Sequence, residues 1–266
     1  TDGVGRGTVK GLFDQIYSDF QKSVDYFAEG TGTQSHPSHI DLYVANGLWA
    51  RAALARQDYA QAKTCAEAAL KKPGLARVAS VSALGAFNNR SVSDVMWAFE
   101  VTADQASTYG SFISHMAKDG TYGAIAPQCI DYWLYETGMT DSDMRRAWAE
   151  RESVVDENND EVEYFYWQTK FGYQNASTGV ADIINMRAEE MILTLAECLV
   201  RVDHNYAEAR KLLEELYDQR YSEDRDISGL TDSDVVSMNT HALPATILDE
   251  IILQRRIELW CEGMGR

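Results

Sequence analysis
Few residues in this chain have the type and spacing for chemistry, and the spacing excludes most of it. His36 and His39 stand three apart beside Pro37. Metal ligation would need a third partner, so they read as a polar loop ahead of a helix. The run Asp156-Glu157-Asn158-Asn159-Asp160-Glu161 begins like a calcium loop. Its sixth position is Glu161 where an EF-hand needs glycine, and its twelfth is Trp167 where it needs glutamate. That predicts a solvated turn between two segments. Cys65, Cys129, Cys198 and Cys261 lie far apart and form no CxxC pair, which excludes zinc-ribbon and thioredoxin chemistry. Cys65, Cys198 and Cys261 fall on apolar helical stretches and are expected as buried free thiols. The chain has no HExxH, no GxSxG and no phosphate loop, and Gly3-Val4-Gly5-Arg6-Gly7 has the wrong spacing for a dinucleotide fold. With 41 acidic residues, carboxylate pairs arise by chance, and none stands out as a glycosidase pair. The expectation is no catalytic residue, no metal and no cofactor.

The elements that would position a site are helices. Leu12, Ile16, Phe20 and Val24, flanked by Phe13, Tyr17 and Phe27, form one apolar stripe, which predicts a helix from Val9 to Ala28. A second helix is expected near Ser38, with Ser38 and Asp41 as a capping box. A third, capped by Asp58, ends at Pro73-Gly74. Small residues Ala50, Ala62, Ala66 and Ala69 would let this pair approach closely. The pair has the length of a tetratricopeptide unit. A second copy follows: Met186 to Cys198 reads as helix, and Asn205-Tyr206-Ala207-Glu208-Ala209 repeats the pattern of Asp58-Tyr59-Ala60-Gln61-Ala62. The last helix follows Pro244, placed in its first turn, and buries Ile247, Leu248, Ile251, Ile252 and Leu259.

Between these blocks, residues 75–180 carry Gly, Ser, Asn and aromatics without helical period. Val95–Phe99 reads as a strand or extended run, Tyr164–Trp167 as a dense aromatic run, and Asp131 to Trp148 as helical in part. The expectation is an all-α fold: one domain over 1–266, a tetratricopeptide-like hairpin scaffold at about 8–74 and 183–263, and an irregular, loop-rich insertion at about 75–180. Such loops on a rigid scaffold carry function. Trp49 and Trp97, within apolar runs, are expected in the core.

With 24 basic against 41 acidic residues the net charge is −17. That repels nucleic acid and anionic lipid and spares neutral ligands such as glycans. No stretch is apolar enough to span a bilayer.

The last helix carries the most specific pattern: Gln254-Arg255-Arg256-Ile257-Glu258-Leu259-Trp260-Cys261-Glu262-Gly263. It resembles the E-R-R-x-E-L-x-x-E-G signature of the SusD/RagB family, with Gln254 in place of the first glutamate. Arg187-Ala188-Glu189-Glu190 with Leu193, Ala196 and Glu197 resembles that family's R-x-A-E-x-x-L-x-x-A-E block, with Glu189 where a small residue is usual. Lys170-Phe171 and Asp143 with Arg145-Arg146 resemble two further elements. The resemblance runs through most of the chain in order, the aromatic-rich middle excepted, and implies that sequence is missing at both ends.

Membership would imply a secreted protein, lipid-anchored through an N-terminal cysteine absent here and exposed on the outer membrane. It would hold oligosaccharides, or in some members peptides, for a partner TonB-dependent transporter of the SusC type, and it would not be an enzyme. Arg187, Glu190, Arg255, Arg256, Glu258 and Glu262 are then expected as fold residues in buried or half-buried Arg–Glu pairs between helices. The ligand residues should be aromatic, because sugar C–H faces stack on rings. Tyr109, Tyr122, Trp133, Tyr135 and Trp167 in the irregular middle are the candidates. Behind a glycan binder rank a peptide binder, an intracellular tetratricopeptide scaffold and a helical glycoside hydrolase.

Overall fold
The computed structural model describes residues 7–30, 33–123, 130–236 and 241–264. Cys129 and the glycine-rich start at 3–6 lie outside them. Helix α1 spans Val9–Glu29 and is capped by the Thr8 hydroxyl, which accepts from the Gly11 N–H. Its stripe rests on α2 (Leu42–Arg56) through Tyr17 and Phe20 against Trp49. No α1 residue is fully buried, so this helix is covered on one side only. α2 starts later than expected: Asp41, not Ser38, is its cap, accepting from Tyr43 and Val44 N–H.

The two predicted hairpins use one device. α2 ends on Gln57 at φ 64°, Asp58 caps, and α3 runs Tyr59–Ala69. Helix α6 (Ala188–Cys198) closes through a π turn onto His204 at φ 50°, Asn205 caps, and α7 runs Tyr206–Tyr217. A left-handed residue reverses the chain and an Asp or Asn oxygen accepts the next helix's orphan N–H. Ala50, Ala53, Ala62, Ala66 and Ala69 are all buried, as close helix approach requires. The final helix, α8, spans Ile247–Glu258 and opens on a full capping box between Thr246 and Asp249. Pro244 therefore precedes the cap, which corrects its expected place in the first turn. Every residue of α6 is buried, and it packs against α2, α3, α7 and α8. That helix is the axis of the core.

The middle is less irregular than its sequence. A one-turn helix, α4, spans Val81–Leu84. Strand β1 (Val95–Phe99) pairs antiparallel with β4 (Ile183–Arg187), which feeds directly into α6. Met186 and Arg187 are therefore strand, not helix. Strands β2 (Ala149–Val155) and β3 (Glu161–Gln168) form a hairpin whose turn is the acidic run. There Asp156 accepts from the Asn158 and Asp160 N–H groups, so its carboxylate closes a turn. Among the described residues no group of three or more His, Cys, Asp or Glu could hold a metal. Short helix α5 (Phe112–Met116), a π turn at Leu134–Gly138 and a 3₁₀ turn at Met144–Trp148 complete the region. Its two small apolar clusters anchor it, one around Phe87, Trp148 and Phe171, the other joining Tyr135 and Tyr166 to Leu253 and Ile257 of α8. Cys65 and Cys198 are buried free thiols, while Cys261 lies past α8 and is only half-buried. Trp49 is core, and Trp97 is half-buried with its Nε1 donating to the Ser38 carbonyl.

Candidate functional site
The segment 101–123 presents the aromatics. Ser111 caps α5 by accepting from the Ser114 N–H, which fixes the short helix on the loop. After α5 the chain folds tightly back. The Tyr122 N–H donates to the Ser114 carbonyl at 2.8 Å, and the Thr121 hydroxyl donates to the Thr108 carbonyl at 2.7 Å. Glycine is required in this turn: a Cβ at Gly123 would sit 2.1 Å from the Ala117 carbonyl oxygen. The result holds Tyr109, Phe112 and Tyr122 out of the fold, 66%, 48% and 42% exposed. The Tyr122 ring stacks on His115 at 4.8 Å. His115 Nδ1 lies 2.9 Å from the Ser111 carbonyl; a carbonyl only accepts, so Nδ1 carries a proton.

Trp167 on β3 lies next to the same segment through Lys118. Gln168 donates to the Met116 carbonyl, which ties the hairpin to the end of α5. The Trp167 Nε1 donates to Glu152 at 2.6 Å, and Lys118 lies 5.4 Å above its ring. Beside the loop opens a cleft of about 580 Å³. Gln105, Ser107, Ser111 and Phe112 line one wall, and Asp182 and Glu262 contribute to the other. The shape is that of a small-ligand site: an apolar floor with a few polar groups.

The other two candidates sit elsewhere. Trp133 is half-buried between Arg256, 5.6 Å away, and His241. It neighbours a second pocket of about 390 Å³ lined by Asp131, Leu134, Arg256 and Trp260. Tyr135 is only 3% exposed and stacks on Tyr166. It is a core residue that no ligand can reach, which corrects its expected role. Phe112 and His115 were not among the sequence candidates. Their signal was position alone, next to Ser111 and within the glycine-rich stretch that flagged Tyr109.

Both carboxylates of the cleft are engaged. Asp182 takes two bonds from Arg90 and two from backbone N–H groups. Glu262 is bound by Lys170 at 2.7 Å and by Arg187 at 2.8 and 3.0 Å. Burial pushes the Glu262 carboxyl up, but Arg187 and Lys170 outweigh it and hold it below the usual range. A general acid needs the opposite shift. Behind Glu262 lies a buried ion cluster. Glu258 receives Arg145, Arg187 and Arg220 at 2.8 to 3.1 Å. Lys170 caps the end of α8 through the Glu258 and Trp260 carbonyls and lies over the Phe87 and Trp148 rings. Burial lowers that ammonium to about 8.

Residues 95–265 match the SusD family. The chain belongs to that family. No curated protein matches it, but solved structures do. A SusD-like carbohydrate binding protein from Bacteroides vulgatus superposes with a TM-score of 0.75 at 22% identity, covering 98% of this chain and 51% of that one. A SusD superfamily protein from Bacteroides thetaiotaomicron gives 0.64 at 19%, covering 99% and 56%. Surface glycan-binding protein A from Bacteroides uniformis gives 0.67 at 15%, covering 99% and 57%. The chain thus spans little more than half the length of these proteins, and at such identities the likeness is one of fold.

Within this SusD-family chain the signature residues engage other parts of the fold, and Glu262 also lines the cleft. Arg187 pairs with Glu258 and Glu262, Glu190 takes Arg51 at 2.6 Å, and Arg256 reaches Asp131 at 2.7 Å. Arg255 donates to the Thr194 hydroxyl.

Proposed function
We propose that this SusD-family chain binds oligosaccharides without cleaving them, through the aromatic segment 101–123, Trp167 and the adjoining cleft. The observation that carries this is the exposure of Tyr109, Phe112 and Tyr122 on one loop that a rigid helical scaffold holds in place. Burying aromatic surface is favourable, so rings held out at a cleft favour a ligand with apolar faces. Ion pairing of both cleft carboxylates supports binding over catalysis. Two neighbours bear names that say they bind carbohydrate or glycan, which favours sugars over peptides. In the cell the chain would act at the outer-membrane surface, lipid-anchored, as the partner of a SusC-type TonB-dependent transporter. No described helix is long and apolar enough to cross a membrane.

The test is affinity electrophoresis against a panel of soluble polysaccharides, with product analysis on the same samples. Retardation by a glycan without cleavage is expected. Tyr122→Ala and Trp167→Ala should each weaken binding roughly tenfold, as for a central aromatic contact, while Tyr135→Ala should act on stability instead. Cleavage would overturn the non-catalytic reading. Retardation by peptide pools and by no glycan would assign a peptide ligand.

A further inference from the structure
Resting on the glycan reading above, we infer that the site takes uncharged sugars and rejects glycans that carry carboxylate or sulfate groups. An anionic sugar is held by a cation free to pair with it. Residues 101–129 contain one lysine or arginine, Lys118, against Asp104 and Asp119. Lys118 is already committed: its Nζ lies 3.2 Å from Glu150 and 3.6 Å from Glu152. The hairpin that carries Trp167 is strongly acidic, with seven carboxylates over 149–168 against the single base Arg151. Arg151 is bound to Glu161 at 2.5 and 2.8 Å and lies 4.1 Å over the Tyr164 ring. On the cleft side, Arg90 serves Asp182 and Glu100, while Lys170 and Arg187 serve Glu262.

Each cation at the aromatic group thus faces at least one carboxylate, and Lys118 faces two. An incoming anion must displace one of them within a field of the same sign. A neutral sugar meets no such repulsion. Its C–H faces lie on the rings, and its hydroxyls donate to the same carboxylates that repel an anion. Glu150 and Glu152 therefore act as specificity-determining residues: they hold the one loop cation and supply hydroxyl acceptors.

The experiment is affinity electrophoresis with matched polysaccharides, each neutral backbone beside its uronate-bearing or sulfated form. At low salt the neutral form should bind at least tenfold more tightly. The gap should close in about 1 M salt, where the Debye length is about 3 Å. The double variant Glu150→Gln/Glu152→Gln keeps the acceptor for Trp167 and frees Lys118, so it should narrow the gap at low salt. Adding Lys118→Gln should restore the gap. Equal or tighter binding of the acidic form by the unaltered protein would overturn the inference and leave glycan binding intact, as would a gap that neither salt nor the double variant changes. Retardation by no glycan of either kind would overturn both readings.

Discussion

Glu189 and Gln254 are fully buried and belong to the same ion cluster. Gln254 accepts from Arg145 at 2.7 Å and donates to Tyr221 and Glu250. A glutamate there would add a buried charge; the amide bridges Arg145 and Glu250 without one. Glu189 supplies a carboxylate from the other side. It takes Arg220 at 2.9 Å, the Ala79 N–H, and Arg187 at 3.2 Å. Burial raises its carboxyl; Arg187 opposes that, Asp94 adds to it, and the outcome is a value of about 8. Four cations (Arg145, Lys170, Arg187, Arg220) thus face five acids (Asp94, Asp143, Glu189, Glu258, Glu262), which leaves the cluster one positive charge short and favours the protonated form of Glu189. In the unfolded chain Glu189 releases that proton near the ordinary 4.5. Between 4.5 and about 8 the folded state binds the additional proton, so stability should fall as pH rises, by at most about 1.4 kcal/mol per unit. Urea unfolding across that window would measure the slope. Glu189→Gln should flatten it, and an unchanged slope would place the proton elsewhere.

At the scale of elements, the turn after α5 sets the site. Its backbone is packed so closely that a side chain at Gly123 has no room, the nearest obstacle being a carbonyl rather than a movable side chain. Gly123→Ala should displace Tyr122 and weaken glycan binding by an order of magnitude or more. The measurement is an affinity titration beside a melting curve, with the folding cost expected within the ~1–3 kcal/mol of ordinary overpacking. The hairpins were legible because a polar cap followed by Tyr-Ala marks each second helix. The β2–β3 hairpin was legible only as an acidic turn beside an aromatic run. Most of β2 is exposed on both faces, so the alternation that marks a half-buried strand is absent there.

For the whole molecule, α6 joins parts of the chain that are distant in sequence. It packs on α2, α3, α7 and α8. Leu193 is fully buried in it. Leu193→Ala should cost ~2–5 kcal/mol, and far-UV circular dichroism and tryptophan fluorescence should report the loss in one shared transition. Separate transitions would mean that the insertion melts apart from the scaffold. The net charge of −17 also belongs to this scale: it makes repulsion of anionic ligands a property of the whole surface as well as of the Glu150 and Glu152 carboxylates that hold Lys118.

The sequence by itself determined the helical scaffold, the helix-capping residues Asp58 and Asn205, and the family signature. These depend on local periodicity and on spacing along one helix. Tertiary structure decided which aromatics can meet a ligand. Tyr122 and Tyr135 look alike in sequence, each a tyrosine in an irregular stretch, yet one is held out by a glycine-tight turn and the other is closed in by Tyr166 and α8. It also decided that Glu150 and Glu152 would reach Lys118 across 32 and 34 positions of chain. Such contacts depend on how strands and loops fold back on one another, and no period within a single element encodes that.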